Sequence, residues 1–481
     1  MTTYTRSLAC ALLLAATFLS PPARAQTDTP AQGVTAPQPP LTDAAERMYQ
    51  DHGAAVYQVQ VIDRASGKKA AIGSGFQIDA QGLLATNYHV VSDMINRPAN
   101  NRLEYLHEDG TRGALSLVGV DVVNDLALLR MDKAGPAFVM LGTSDLRKGT
   151  RVFALGNPHD IGFTIVEGIH NGMASDTFHD KIHFSGAINQ GMSGGPALSG
   201  DGRVVGINVM TGGNQIGFLV PVEALAALVA KYRNSGQTGD MTGDMAGDFL
   251  TRAHADIEAQ LDASQSSIIK TMLDPAHTWD SMTFGPLSLP GRLHPALKCW
   301  GAPAHEDKDP YTHFWSTCYN EDSLFLSDTF ETGVYFYRYD LVTPSPEMWT
   351  ARFYSFYEGL YSNSVESSNA GEGDVGNFAC HDGFVDQAGH RFKTSYCVRQ
   401  YTKYPSLFDA HLYMAMVDAP RTGVVITVNA LGVTRDNAQA FMSRFISEIA
   451  PARGDAPDVR DVVAPAGDSV MDKSPDGMVA P

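Results

Sequence analysis

Between residues 54 and 220, hydrophobic positions come in short β-branched runs broken by Gly, Asn and Asp at intervals of roughly ten residues, the pattern of an all-β barrel or sandwich. The clearest runs are 56–62, 152–155, 203–209 and 216–220. At 222–232 the period lengthens to helical spacing and the segment has a basic end at Lys231, so a helix closes this unit. A loose apolar stripe of Leu250, Ile257, Leu261, Ile268 and Ile269 predicts a second helix over 249–272. Residues 275–450 then alternate less regularly, with many aromatics, a strand at 423–428 and a helix at 436–449. This is the reading expected of a separate α+β domain. The expected organisation is an all-β domain over 43–233 and a helix plus α+β domain over 249–450.

The segments between and around these units have no such period. Residues 26–42 are rich in Pro, Thr, Gln and Ala and read as a disordered leader, 234–248 as a low-complexity linker in which G-D-M recurs, and 451–481 as a disordered acidic tail. The repeated Asp residues of the linker are read as solvated rather than as calcium ligands. Residues 1–25 carry Arg6, a twelve-residue apolar run from Leu8 to Leu19 and the small-x-small triplet Ala23-Arg24-Ala25, a cleavable export signal. The run is too short to span a bilayer, which needs about 20 residues. The mature chain is therefore expected to begin at Gln26 and to be periplasmic or secreted, with no transmembrane segment left after cleavage.

Composition narrows the partners. Of 481 residues, 44% are hydrophobic and 18% charged, as in ordinary globular proteins. The formal net charge of -18 argues against nucleic acid or an anionic membrane, both of which need a basic surface. Cys10 leaves with the signal, so Cys299, Cys318, Cys380 and Cys397 remain in an oxidising compartment, where disulfides are expected. Three pairings are possible. The two local ones, Cys299 with Cys318 and Cys380 with Cys397, are favoured, each contributing about 3 kcal/mol through loop closure. Zinc is the competing use, and the absence of C-x-x-C spacing speaks against it.

Three segments carry residue types that acyl transfer requires, in the order His, Asp, Ser. After G-S-G-F at 73–76, the run L-L-A-T-N-Y-H-V-V at 83–91 brings His89, a candidate general base, from a strand to the start of a loop. In N-D-L-A-L-L-R at 124–130, Asp125 precedes an apolar strand and is suited to orient an imidazole and stabilise its protonated form. In A-I-N-Q-G-M-S-G-G-P-A-L at 187–198, Ser193 sits among glycines, and the backbone N–H groups of Gly191 and Ser193 can converge as an oxyanion hole. Taken singly, the glycine-rich stretch is also a plain tight turn, a lone His a structural residue and an Asp before a strand a turn former. Their joint order within one β-rich region, 36 and 68 residues apart, favours chemistry.

With T-N-Y-H-V-V, N-D-L-A-L-L, L-G-N-P at 155–158 and A-I-N-Q-G-M-S-G-G-P, the region 54–232 resembles the trypsin-like serine proteases of the HtrA/Deg type. The resemblance implies two six-stranded antiparallel barrels with an active site between them, His89 as general base, Asp125 as its partner, Ser193 as nucleophile and Gly191 as an oxyanion donor. Met192 departs from the pattern: digestive relatives have Asp before the nucleophile and HtrA-like ones usually Asn. Ala187 and Ile188 stand where the substrate pocket is expected, which predicts a preference for small or medium apolar side chains before the scissile bond. No PDZ pattern follows residue 248.

The expected activity is therefore hydrolysis of exported or misfolded proteins and peptides through an acyl-enzyme, without a metal or organic cofactor. Two other readings stand beside it: a latent barrel acting as a binding or adhesion protein, with Met192 leaving the oxyanion loop collapsed, and an esterase acting on small substrates. Oligomeric state and the role of 249–450 are not legible.

Overall fold

The computed structural model describes residues 42–213, 215–234, 245–306, 308–327, 329–363 and 370–452. The expected signal segment, nearly all of the leader and of the acidic tail, and residues 235–244 of the expected linker lie outside them. After helix α1 (Thr42–His52), strands β1 (Val56–Asp63), β2 (Lys69–Gln77), β3 (Leu83–Thr86), β4 (Asn101–Leu106), β5 (Arg112–Asp121) and β6 (Leu126–Met131) close an antiparallel barrel in the order β1-β2-β3-β6-β5-β4. Strands β7 (Arg151–Gly156), β8 (Thr164–Met173), β9 (Ile182–Phe184), β10 (Pro196–Ser199), β11 (Val204–Thr211) and β12 (Gly217–Pro221) close a second, ordered β10-β11-β12-β9-β8-β7. Helix α3 (Val222–Asn234) follows, as its spacing predicts.

The runs L-L-A-T and L-A-L-L show almost no polar alternation because their strands are buried on both faces, Thr86 excepted, whose hydroxyl donates to Ser74 O at 2.7 Å. Successive side chains of a strand point to opposite sides. Leu83, Ala85, Leu126 and Leu128 accordingly face the second barrel and pack with Phe153, Leu155, Leu198 and Ile207. Leu84, Ala127 and Leu129 face away, into a core that also holds Ile257, Leu261, Leu324, Leu326 and Phe330 from outside the barrels. The first barrel is thus sandwiched between the second barrel and the rest of the chain.

One helix was not anticipated at the site. His89 lies in the first turn of α2 (Tyr88–Asn96) rather than at the start of a loop. Val90, Val91, Met94 and Ile95 recur at helical spacing and are buried, which a reading of the preceding strand alone overlooks.

Helix α4 (Met245–Leu273) leads to a seven-stranded antiparallel sheet of β15 (Leu297–Pro303), β16 (Tyr311–Asn320), β19 (Tyr335–Pro344), β23 (Gly423–Thr434), β22 (Leu407–Met416), β21 (His390–Gln400) and β20 (Ala379–Gln387), in that spatial order. Ile269 and Met272 of α4 and Phe441 and Phe445 of α6 (Arg435–Ser447) cover one face. Phe353 and Tyr357 of α5 (Thr350–Asn363) cover part of the other. Tyr335, Tyr337 and Tyr339 are core residues whose hydroxyls donate to Gln265, Gly291 and Pro290 respectively. Strands β13 (Ser281–Phe284) and β14 (Leu287–Pro290) pair with β24 (Ala450–Pro451), and β17 (Leu324–Ser327) with β18 (Phe330–Thr332). Cys299 bonds Cys318 across the β15/β16 pair and Cys380 bonds Cys397 across β20/β21, the two local pairings. No helix among the described residues is long and apolar enough to cross a membrane.

Candidate active site

His89 and Asp125 are joined at two points. Asp125 Oδ2 lies 2.6 Å from His89 Nδ1, and Oδ1 accepts the His89 backbone N–H at 2.8 Å. Both side chains keep about a quarter of their surface exposed, 26% and 25%, so the pair is neither sealed nor fully solvated. Burial disfavours the imidazolium, but the charge of Asp125 and its hydrogen bond together outweigh that penalty and raise the His89 pKa above its ordinary 6.5. Asp125 occupies the left-handed region, φ 54°, which a non-glycine residue holds only where its surroundings over-determine it. Its carbonyl accepts from the Asn87 side chain at 2.7 Å and from Tyr88 N at 3.2 Å, and its own N–H reaches Val122 O at 3.4 Å.

Ser193 belongs to the second barrel, and its loop is stitched to the first. Its carbonyl accepts from Ser74 N of β2 at 2.8 Å, and Gly194 N donates to Asn208 O of β11 at 2.9 Å. Gly194 has φ 85°, and a Cβ there would collide with Ser74 O and Thr86 Oγ1 and come within 2.9 Å of Asn87 N. The glycine therefore lets the serine turn press against the segment that leads into His89. Ser193 Oγ donates to Val209 O at 3.3 Å, and among the described residues no hydrogen bond joins Ser193 to His89.

Gly191 has φ 92°, and among the described residues neither its N–H nor that of Ser193 donates to a protein acceptor. The orientation of this loop has identifiable causes. His159 N donates to Gln190 O at 2.8 Å; in a trans peptide the N–H opposes the C=O, so the Gly191 N–H points away from that contact. Ser74 Oγ, fully buried, donates to Gly191 O at 2.7 Å and accepts from Asn157 N at 2.9 Å, linking β2, the end of β7 and the serine loop. Asn208 donates from its side chain to Leu155 O at 2.9 Å and Met192 O at 3.3 Å. Met192 is fully buried in the second barrel with Ile182, Phe184, Ile188 and Leu219, an apolar anchor where an acidic residue would be costly.

Ile188 is buried in that same core and Ala187 half-buried beside it. A Cβ on Gly217 would approach Ile188 Cγ1 to 2.8 Å, so only glycine leaves room there. Ser74 and Asn157 lie within motifs singled out in the sequence, G-S-G-F and L-G-N-P, but nothing local marks them as partners of Gly191. Asn208 has no local signal at all. Lys181, just before β9, was likewise not anticipated: burial lowers its pKa, while Asp322 and then Asp125 pull it up.

Residues 73–207 match the trypsin-like peptidase domain family. A probable periplasmic serine endoprotease, DegP-like, of Marinomonas sp. (strain MWYL1) is 34% identical over 183 residues, covering 36% of this chain and 37% of that protein. The serine protease HTRA1 of Xenopus tropicalis is 32% identical over 181 residues, covering 35% of this chain and 38% of that protein. The crystal structure of Deg5 is 29% identical, with a TM-score of 0.34, over 38% of this chain and 91% of that one. The chain thus spans little more than a third of the length of these curated relatives.

Proposed function

We propose, from the premise that the barrel pair is a trypsin-like peptidase domain of the HtrA type, that the chain is an exported serine endopeptidase acting in the periplasm or outside the cell. Ser193 attacks a peptide carbonyl while His89 Nε2 takes its proton. Asp125 holds the ring by Nδ1 and stabilises the imidazolium. The N–H groups of Gly191 and Ser193 bind the developing oxyanion, and His89 passes its proton to the leaving amine as the C–N bond breaks and the acyl-enzyme forms. His89 then takes a proton from the attacking water and returns it to Ser193 Oγ as the ester is hydrolysed. Ala187 and Ile188 line the pocket for a small or medium apolar side chain before the scissile bond.

The observation that carries this reading is the two-point contact of Asp125 with His89 at 2.6 and 2.8 Å, beside a serine loop in which the Gly191 and Ser193 N–H groups donate to no acceptor among the described residues. One observation favours a second reading, a latent barrel: the Ser193 hydroxyl is engaged by Val209 O instead of the imidazole. Labelling of the purified chain with a fluorophosphonate probe, with the adduct located by peptide mass, separates the two. Modification of Ser193 that vanishes in Ser193→Ala is the expected result; a folded wild type that stays unlabelled supports latency. Profiling of cleavage sites that returned mainly Arg or Lys before the scissile bond would remove the assigned pocket.

A further inference from the structure

The polypeptide outside the barrels grips, at separate points, the segments that carry His89 and Asp125. The first grip is Gln260 of α4. Its side-chain oxygen accepts from Val122 N at 2.8 Å, and its nitrogen donates to Val120 O at 3.0 Å, fixing the end of β5 and the start of the turn that delivers Asp125. Its orientation is set by a further bond to Asp256 Oδ2 at 2.9 Å, and Asp256 in turn pairs with Lys231 of α3 at 2.6 Å. Within the turn, Asp121 accepts from the Asn124 backbone at 3.0 Å and side chain at 2.8 Å. Gln260 and Asp121 together constrain a turn whose last residue has φ 54°.

The second grip is the β17–β18 hairpin under α2. Leu326 O accepts from Tyr88 Oη at 3.1 Å and from Asn96 Nδ2 at 2.7 Å, holding the helix at both ends around His89. Tyr88, Val91 and Ile95 share a core there with Leu324, Leu326 and Phe330. The third grip is Asp322, only 4% exposed, whose carboxylate accepts from Phe178 N at 2.5 Å and His179 N at 2.9 Å in the loop leading to Lys181. Among the described residues no hydrogen bond from this part of the chain reaches 186–195, the serine loop. Two of the three grips hold the segments of the proposed acid–base pair, and the third holds the loop before β9 of the second barrel.

We propose that residues 245–452 include a built-in brace for the His89–Asp125 pair, in which Gln260 is the positioning residue for Asp125, and the Leu326 carbonyl and Asp322 hold the neighbouring segments. This deepens the peptidase reading and rests on it. Gln260 touches no reacting atom; it acts by keeping Asp125 where it bonds the imidazole. Lys181 is the charged group linked to Asp125, and around it stand Asp322 and His179, the latter also near Asp121 and Asp180. If Asp125 drifts, its stabilisation of the imidazolium weakens while burial continues to oppose the charge, so the His89 pKa falls.

The test uses the full chain and the rate of fluorophosphonate modification of Ser193 across about pH 5 to 9, the window in which histidine titrates. Gln260→Met keeps the length of the side chain and removes its bonds to Val122, Val120 and Asp256. The expected result is labelling slowed about 10- to 100-fold, an acid limb moved to lower pH, and a Tm close to wild type. Asp322→Asn, which replaces the buried charge facing Lys181, is expected to slow labelling as well. Wild-type rates and an unmoved acid limb in both variants overturn the brace alone. Slower labelling that merely follows a lowered Tm, with the acid limb unmoved, also overturns it by reducing the contacts to fold stability. A folded wild type that is never labelled overturns the peptidase reading, and the brace with it.

Discussion

The two barrels each close with six strands, yet they hold their shares of the site by different means. On the second barrel, Gly191, Ser193 and Gly194 are positioned from within the barrel pair, by Ser74, His159, Asn208 and the buried Met192. On the first, the turn of Asp125 and the helix of His89 lean on Gln260 and Leu326, residues more than a hundred positions away in a different part of the fold. The nucleophile loop needs backbone conformations that glycine and a few buried hydrogen bonds supply locally. The acid–base pair needs a carboxylate held in an unfavourable backbone region, and the surrounding structure must enforce that. In the proposed peptidase, the chemistry therefore depends on a region that contains none of the proposed reacting groups.

The comparison breaks most sharply at Asp125. Asp125→Asn is expected to slow Ser193 labelling by about 10⁴-fold, because the amide favours the wrong imidazole tautomer. Rates and thermal denaturation measured on the same sample would show the loss without a matching fall in Tm. On the opposite side of the cleft, Gly194→Ala should act through structure. Its Cβ meets backbone and Thr86 in a region of φ that alanine avoids, with a cost of roughly 3 kcal/mol or more, read as a lowered denaturation midpoint together with lost labelling.

Removing the Cys380–Cys397 bond by serine substitution at both positions tests the distant region directly. A loss of about 3 kcal/mol is expected in denaturant unfolding, with Ser193 labelling ending at the same lower denaturant concentration if the brace and the site melt together. Independent midpoints for the two signals would separate them. Titration is a subtler test. The His89 pKa is raised above 6.5, so the labelling rate should be half-maximal above that pH and rise toward alkaline values. The stability contribution of the pair has the opposite sign: it is fully present below pH 6.5 and fades as pH rises through the folded-state pKa. The smallest effect is expected at Lys69, whose ion pair with Asp160 at 2.6 Å is partly exposed on both sides. Lys69→Met should change stability by less than about 1 kcal/mol in chemical denaturation.

Much of the barrel pair was legible because its signals are local. Strands such as β1 and β7 follow the β-branched runs within a residue or two, and α3, α4 and α6 follow their apolar spacing. The local cysteine pairings are the ones formed, since each pair faces across one antiparallel strand pair, separated by 19 and 17 residues. Two helices have local signals that the sequence reading overlooks: Asn87 is the N-cap of α2, and Phe353, Phe356, Tyr357, Leu360 and Tyr361 recur at helical spacing in α5.

By itself the sequence marked which residues are candidates for the chemistry and where the chain turns. His89, Asp125 and Ser193, the glycines around the serine and the alternation of each strand are properties of neighbouring residues. Only the tertiary structure decided that Ser74 faces Gly191, that Asn208 supports Met192 and that Gln260 and Leu326 carry the segments of Asp125 and His89. Those contacts join positions far apart in the chain. A glutamine on a helix or a carbonyl in a hairpin carries no local mark of its distant partner, because burial and hydrogen-bond direction are set only when both surfaces meet.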